Sequence, residues 1–173
     1  MKNYILLVGL SISSIFSFSQ CAMKTDYSQD NLRVTYSTEV ERLYVNDDLE
    51  NGLANISISF AVRKSTTDHK TMKVYVQIYS ISSGSKETPI PRKLILNNWK
   101  SLEASAKIQT TYAREAKIES CVFDLTPDLL DWIKSNEILY MSVIDPVQNR
   151  TITFNVNGRI IQNQATCIRQ LID

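Results

Sequence analysis

Alternation of hydrophobic and polar positions is clearest in three stretches, and they set the expected architecture. In residues 72–82, MKVYVQIYSIS, Val74, Val76 and Ile78 point one way. Tyr75, Gln77, Tyr79 and, after a slight drift, Ile81 point the other. Successive side chains on a strand face opposite sides, and β-branched and aromatic residues favour strands. This stretch reads as the central strand that downstream elements cover. In residues 54–63, ANISISFAVR, Ile56, Ile58, Phe60 and Val62 share one face, and Asn55, Ser57, Ser59 and Ala61 share the other. The first face is expected in the core and the second in solvent. The two strands are expected to pair antiparallel across a polar turn at 64–70. Further on, Ile138, Tyr140, Ser142 and Ile144 oppose Leu139, Met141 and Val143. Both faces are largely apolar, which predicts a second central strand, in a hairpin with 151–157.

The remaining pattern is shorter-ranged. Leu32, Val34 and Tyr36 share a face, and Val40, Leu43 and Val45 follow with a break at Glu41 and Arg42, which fits either a strand with a bulge or a continuation of the first. Residues 46–52, NDDLENG, form a turn cluster, since Asn, Asp and Gly bond or bend the local backbone. Residues 83–92, SGSKETPIPR, read as an exposed loop on Gly84, Pro89 and Pro91. Trp99, Leu102 and Ala106 fall at helical spacing behind Asn97 or Asn98, so a helix is predicted over 99–106. Both Trp99 and Trp132 are expected to pack in the core. Residues 108–114 and 117–125 read as strands. Thr126, Pro127 and Asp128 make a helix start, with Leu129, Leu130, Trp132 and Ile133 as its apolar stripe over 127–134. After Gly158 the tail fits a strand, a helix or both. The sum is a mainly β chain: a two-sheet antiparallel β-sandwich with one or two short helices in connections.

The first 20 residues add a compartment. Lys2 precedes an apolar run of about 15 residues, short of the roughly 20 that a membrane span needs. Ser17 and Ser19 are small residues at minus three and minus one from a cut after Ser19. Residues 1–20 therefore read as a signal peptide, 21–31 as a flexible polar tether and 32–173 as one β-sandwich domain. The chain carries 19 basic and 18 acidic residues, and losing Lys2 balances them. A nucleic-acid partner would call for a basic excess. Without one, a protein partner in the cell envelope is expected instead.

Cys21 lies just past the apolar run, where bacterial lipoproteins carry diacylglycerol, although Gln20 departs from the Gly, Ala or Ser usual before that cysteine. Two readings stand. Either Cys21 is lipidated and attaches the protein to a membrane, or a cut after Ser19 leaves it near a free start. If Cys21 is lipidated, Cys121 and Cys167 make an even number and are expected to pair as a disulfide in an oxidising compartment.

Candidate chemistry is sparse. The one histidine, His69, lies in a polar turn with no nucleophile in a recognisable context. No glycine-rich phosphate loop occurs. The cysteines match no zinc spacing. No catalytic residue, metal or cofactor is expected. Asn46, Asp47, Asp48, Glu50 and Asn51 offer clustered oxygens of the kind calcium takes. They define the alternative reading, an exported ligand- or calcium-binding sandwich.

The order of elements resembles one family, the TssJ-type outer-membrane lipoproteins of bacterial type VI secretion systems. The similarity lies in an export signal ending near Cys21 and a polar tether, then the strand VYVQIYSI at 74–81. A loop-plus-helix excursion and the late strand LYMSVID at 139–145 follow. The segment before that strand lacks the family's Pro-Gly turn, and the tail beyond Gly158 is longer than the family's. The resemblance implies a two-sheet sandwich with extra helices, placed on the periplasmic face of the outer membrane; without lipidation of Cys21 and apart from the resemblance, a soluble periplasmic or secreted protein is expected instead. The resemblance implies a non-enzymatic anchor that binds the periplasmic end of an inner-membrane partner through a loop. Ser83, Gly84, Ser85, Lys86, Glu87, Pro89 and Pro91 are the candidate partner-binding residues.

Overall fold

The computed structural model describes residues 21–48, 50–67, 72–97, 99–105 and 108–172. The signal segment, His69 and the cap candidate Asn98 lie outside the described residues. Among the described residues eleven strands and two helices follow in the order β1 (Met23–Tyr27), β2 (Arg33–Thr38), β3 (Glu41–Asp48), β4 (Gly52–Ser65), β5 (Met72–Ser83), β6 (Lys93–Leu96), β7 (Lys100–Glu103), β8 (Gln109–Ala113), β9 (Ala116–Leu125), α1 (Pro127–Ser135), β10 (Tyr140–Asp145), β11 (Arg150–Asn155) and α2 (Gly158–Gln170). They build two antiparallel sheets. The seven-stranded sheet runs β1-β2-β4-β5-β9-β8, with β3 also on β4, and the four-stranded sheet runs β11-β10-β6-β7. The mainly β sandwich read from the alternation is the fold.

The core lies between the layers. Ile56, Ile58, Phe60 and Val62 of β4 meet Val74, Val76 and Ile78 of β5 and Cys121, Phe123 and Leu125 of β9 on one face of the large sheet. The small sheet brings Leu94, Leu96, Leu102, Met141, Val143 and Phe154. The helices close the rest with Leu130 and Ile133 of α1 and Ile161, Ala165 and Ile168 of α2. Each of the larger side chains contributes roughly 1.5–3 kcal/mol by leaving water.

Four expectations are corrected. Residues 23–27 are not a tether but an edge strand, paired to β2 from Met23↔Thr38 to Tyr27↔Val34. Four of its five residues are exposed. It is held by ladder bonds rather than burial, so it leaves no hydrophobic pattern to read.

The second face of β4 is not open to solvent: Asn55, Ser57, Ser59 and Ala61 are only 3%, 4%, 3% and 2% exposed. Broad neighbours shade these small side chains, with Tyr79 opposite Ser57 and Tyr75 opposite Ala61.

The described part of the predicted helix, residues 99–105, is not helical, and Lys100–Glu103 form β7 instead. Asn97 adopts a left-handed φ of 48° and turns β6 back into β7, pairing Leu94 with Leu102. Its side chain stitches this turn to residues ahead of β10, donating to the Glu137 carbonyl and accepting from the Leu139 amide, each at 2.8 Å. That contact across 40 residues overrides the local helical spacing. As a result Trp99 is 59% exposed rather than buried.

The tail resolves as α2, capped by the Asn157 side chain, which accepts from the Arg159 amide at 3.2 Å. By contrast, α1 starts as the sequence indicates, with Thr126 Oγ1 accepting from the Leu129 amide at 3.2 Å.

Candidate functional site

The inward faces of β5 and β9 change character at the same level. Val74↔Leu125, Val76↔Phe123 and Ile78↔Cys121 are apolar pairs; the next two inward pairs are Ser80↔Glu119 and Ser82↔Lys117. The sandwich is therefore dry along most of its length and polar at one mouth. That mouth is a cleft of about 210 Å³ whose lining includes Ser82, Glu87, Thr88, Lys117, Glu119 and Arg150. The hydroxyls of Ser80 and Thr88 bond to each other in its buried wall. Lys117 Nζ lies 2.9 Å from Glu119 Oε1. The hydrogen bond to Glu119 raises the Lys117 pKa, so the ammonium holds its charge more firmly than in water.

Behind the mouth sits a fully buried carboxylate. Asp145 Oδ1 accepts from Arg92 Nε at 3.1 Å and from the Val147 and Gln148 amides at 3.1 and 3.3 Å, while its Oδ2 has no partner.

The expected partner-binding loop forms one lip of this mouth. Gly84, Ser85 and Glu87 are exposed, and Ser83 and Lys86 are half-buried. Pro89 and Pro91 are buried and drop out of the expected partner surface. The two prolines turn inward because the loop is pinned rather than free. Arg150 grips Glu87 at both the carboxylate (2.9 Å) and the backbone carbonyl (2.8 Å). The Lys86 amide donates to the Asn51 carbonyl at 2.9 Å.

Lys86 also enters the acidic turn proposed for calcium, with Nζ 2.9 Å from Asn46 Oδ1 and 3.7 Å from Asp48 Oδ2. The protein's own ammonium thus lies among those oxygens. Asp48 has its pKa lowered, first by the hydrogen bond from the Asn51 side chain and next by that from the Glu50 amide. Among the described residues no three His, Cys, Asp or Glu side chains are placed to hold a metal ion.

Close approach at this lip demands glycine. Gly52 has φ +89°, and a Cβ there would lie 2.2 Å from the Ser83 carbonyl oxygen. Gly52→Ala is expected to destabilise the fold by about 2 kcal/mol, the scale of one strained backbone position. The loss, measured by urea unfolding, should be matched by new protease cutting within 83–92.

The cysteines are arranged differently from the expected pairing. Cys21 is bonded to Cys167, with Cα atoms 5.7 Å apart. Cys121 is a free thiol, 1% exposed in the core. Cys121 lies beside Ile78 on the paired strand β9, buried in the core, and Cys167 of α2 is taken by Cys21, so the expected Cys121–Cys167 bridge is not formed. The sulfur of Cys21 is spoken for, and a disulfide sulfur does not also carry a thioether lipid. Lipidation of Cys21 and this disulfide therefore exclude each other.

Burial pushes the Cys121 pKa up to about 11 from an ordinary 9.0. Below pH 9 the thiol is neutral folded and unfolded and adds no pH dependence, and stability falls as pH rises past that value. The loss accrues between pH 9 and about 11, as the unfolded chain ionises and the folded one does not. A thiol reagent is expected to leave Cys121 untouched in the native protein and to modify it on unfolding, as read by mass.

One surface feature escaped the sequence pattern. Trp99 and Trp132 meet edge to face at a centroid distance of 4.7 Å, with Lys100 Nζ 5.1 and 5.5 Å from the two rings. The signal available was Lys100 next to Trp99, and it carried no information about Trp132. In β5 the inward stripe of Val74, Val76 and Ile78 turns polar at Ser80 and Ser82, a change that shows as a mouth only once the register sets it beside Glu119 and Lys117.

The fold and its mouth thus define a two-sheet β-sandwich with a charged, water-facing end and a disulfide tying its first strand region to its last helix. Comparison with protein-family models, with curated proteins and with solved structures gave no match.

Proposed function

We propose that this chain is an exported, non-enzymatic interaction module that binds a protein partner at the polar mouth. The observation that carries the reading is the mouth. Charges of both signs (Lys86, Lys117 and Arg150 with Glu87, Glu115 and Glu119) ring a cleft too small and too solvated for a bulky apolar ligand. They stand beside Tyr112, which is 73% exposed on the edge strand β8. Exposed tyrosine and arginine anchors with a mixed-charge rim suit a protein surface.

The disulfide supports an oxidising compartment, since such bonds persist outside the reducing cytosol. The secretion-system resemblance supplies the kind of partner, a periplasmic segment of an envelope protein. Anchoring through Cys21 is not part of this reading, because the disulfide uses that sulfur.

Photo-crosslinking in intact cells tests it. A photoreactive residue at Tyr112 should give one discrete protein adduct, lost on Glu87→Arg, and the same probe at Asp26 on the opposite edge should give none. Equal, diffuse labelling from both positions would remove the mouth as an interface.

A further inference from the structure

Among the described residues five strands have a neighbour on one side only: β1, β3 and β8 in the large sheet, β7 and β11 in the small one. Such an edge is a template for another strand unless something guards it, and charged side chains and bulges are common guards. Four of the five are guarded in this way. β1 carries Lys24 and Asp26, β7 carries Lys100 and Glu103, and β11 carries Arg150. β3 carries Glu41, Arg42, Asp47 and Asp48, and its register shifts between Arg42 and Tyr44. The fifth, β8, reads QTTYA, with no charge, no proline and an unbroken register on β9. All of its residues are exposed, so no described element covers it.

Its free backbone groups follow from the register. β8 and β9 are joined by Arg114 and Glu115, with Ala113 opposite Ala116. The pair that closes a two-residue hairpin exchanges both backbone bonds, and bonded residues alternate along the strand. Gln109, Thr111 and Ala113 therefore turn their N–H and C=O toward β9. Thr110 and Tyr112 turn theirs outward, as an open row of donors and acceptors. The side chains of these two share a sheet face with Glu119 and Lys117, which stand opposite them. A strand added here thus runs beside the mouth that Tyr112 lines.

Charge decides what kind of strand fits. On the other face of the edge, Gln109, Thr111 and Ala113 stand opposite Ser120, Ile118 and Ala116, all uncharged. A charged side chain laid there loses water and gains no counter-ion. On the mouth face, Glu119 and Lys117 offer a counter-ion of either sign. We propose that the partner enters as an extended segment that adds a strand to β8, with charged side chains toward the mouth and uncharged ones on the opposite face. The inference rests on the mouth as the interface proposed above. Backbone bonds then supply affinity and side-chain contacts supply selectivity, the division found in strand addition.

The test uses the full chain in intact cells, with the photoreactive residue at Tyr112. Thr110→Pro removes one outward donor and spares the bonds to β9, and an edge strand accepts proline. Thr110→Val keeps the donor and changes the side chain alone. Thermal unfolding checks that both fold. The partner adduct should fall about tenfold with proline, the scale of one lost hydrogen bond, and stay within about twofold with valine. A second measurement needs neither variant. In the purified adduct, hydrogen exchange at the amides of positions 110 and 112 should slow about tenfold or more against the free protein. Equal adduct from the two variants, or unchanged exchange, overturns the added strand and leaves the mouth as an interface. An adduct of twice the chain's mass shows a second copy on β8 and overturns the inference. No discrete adduct from the otherwise unsubstituted chain overturns both readings.

Discussion

Cys167→Ser is expected to destabilise the protein by about 4–5 kcal/mol, and Cys21→Ser by the same amount. The bond closes a loop between residues 146 apart in sequence. In the chain-entropy account, a loop of about 100 residues already restricts the unfolded chain by about 4.7 kcal/mol. For a chain of this size that corresponds to a fall in Tm of about 10 °C or more. The double variant should lose no more than either single one, because both remove one bond. Reductant should bring the wild type down to the level of the variants and leave the variants unmoved. Urea unfolding with and without reductant measures all of this. A Cys21→Ser variant that keeps full stability and reductant sensitivity would show that Cys167 pairs elsewhere, and would return the sulfur of Cys21 to the lipidation reading.

Arg92→Ala is expected to cost about 2–3 kcal/mol, more than Asp145→Asn. Asp145 is fully buried, while the Arg92 side chain is 37% exposed. Removing the guanidinium leaves a carboxylate in the interior with only two backbone amides for company. Breaking a fully buried pair from one side costs about 3–5 kcal/mol, and the partial exposure of Arg92 lowers the figure. Removing the charge from Asp145 leaves an arginine that reaches water. The double variant Arg92→Ala/Asp145→Asn should recover part of the loss. A double-mutant cycle by urea unfolding checks it. Strict additivity would mean that the pair stabilises nothing and that the two backbone amides hold Asp145 alone.

Much of the fold was legible because burial leaves a periodic trace. The inward stripes of β4, β5 and β10 alternate, and each strand is where its stripe puts it. The start of α1 was legible because Thr126, Pro127 and Asp128 act within one turn. Failures came where the deciding contact was distant. Nothing near Trp99 marks a β-turn, because the Asn97 side chain is held by residues 137 and 139. Nothing in MKTDY marks a strand, because β1 draws its stability from the exposed edge of β2.

The candidate site was half legible. Residues 83–92 read as an exposed loop on Gly84, Pro89 and Pro91, which holds for Gly84, Ser85 and Glu87, whereas both prolines are buried. The opposite lip, Lys117, Glu119 and Arg150, comes from strands whose polar positions look like ordinary solvent-facing ones until the register aligns them. The cysteines divide in the same way. Their number was plain, and parity favoured the wrong pair because parity carries no distances.

From sequence alone followed the β class, the central strands, the balanced charge of residues 21–173, the export-signal pattern and the lack of any familiar catalytic or metal motif. These depend on composition and on short-range periodicity, which a chain carries before it folds. The tertiary structure alone decided which cysteines meet, which loop prolines turn inward, and that Ser80, Ser82, Glu119 and Lys117 converge on one mouth. Those outcomes depend on strand register and on pairing across more than 100 residues, and no local pattern encodes either.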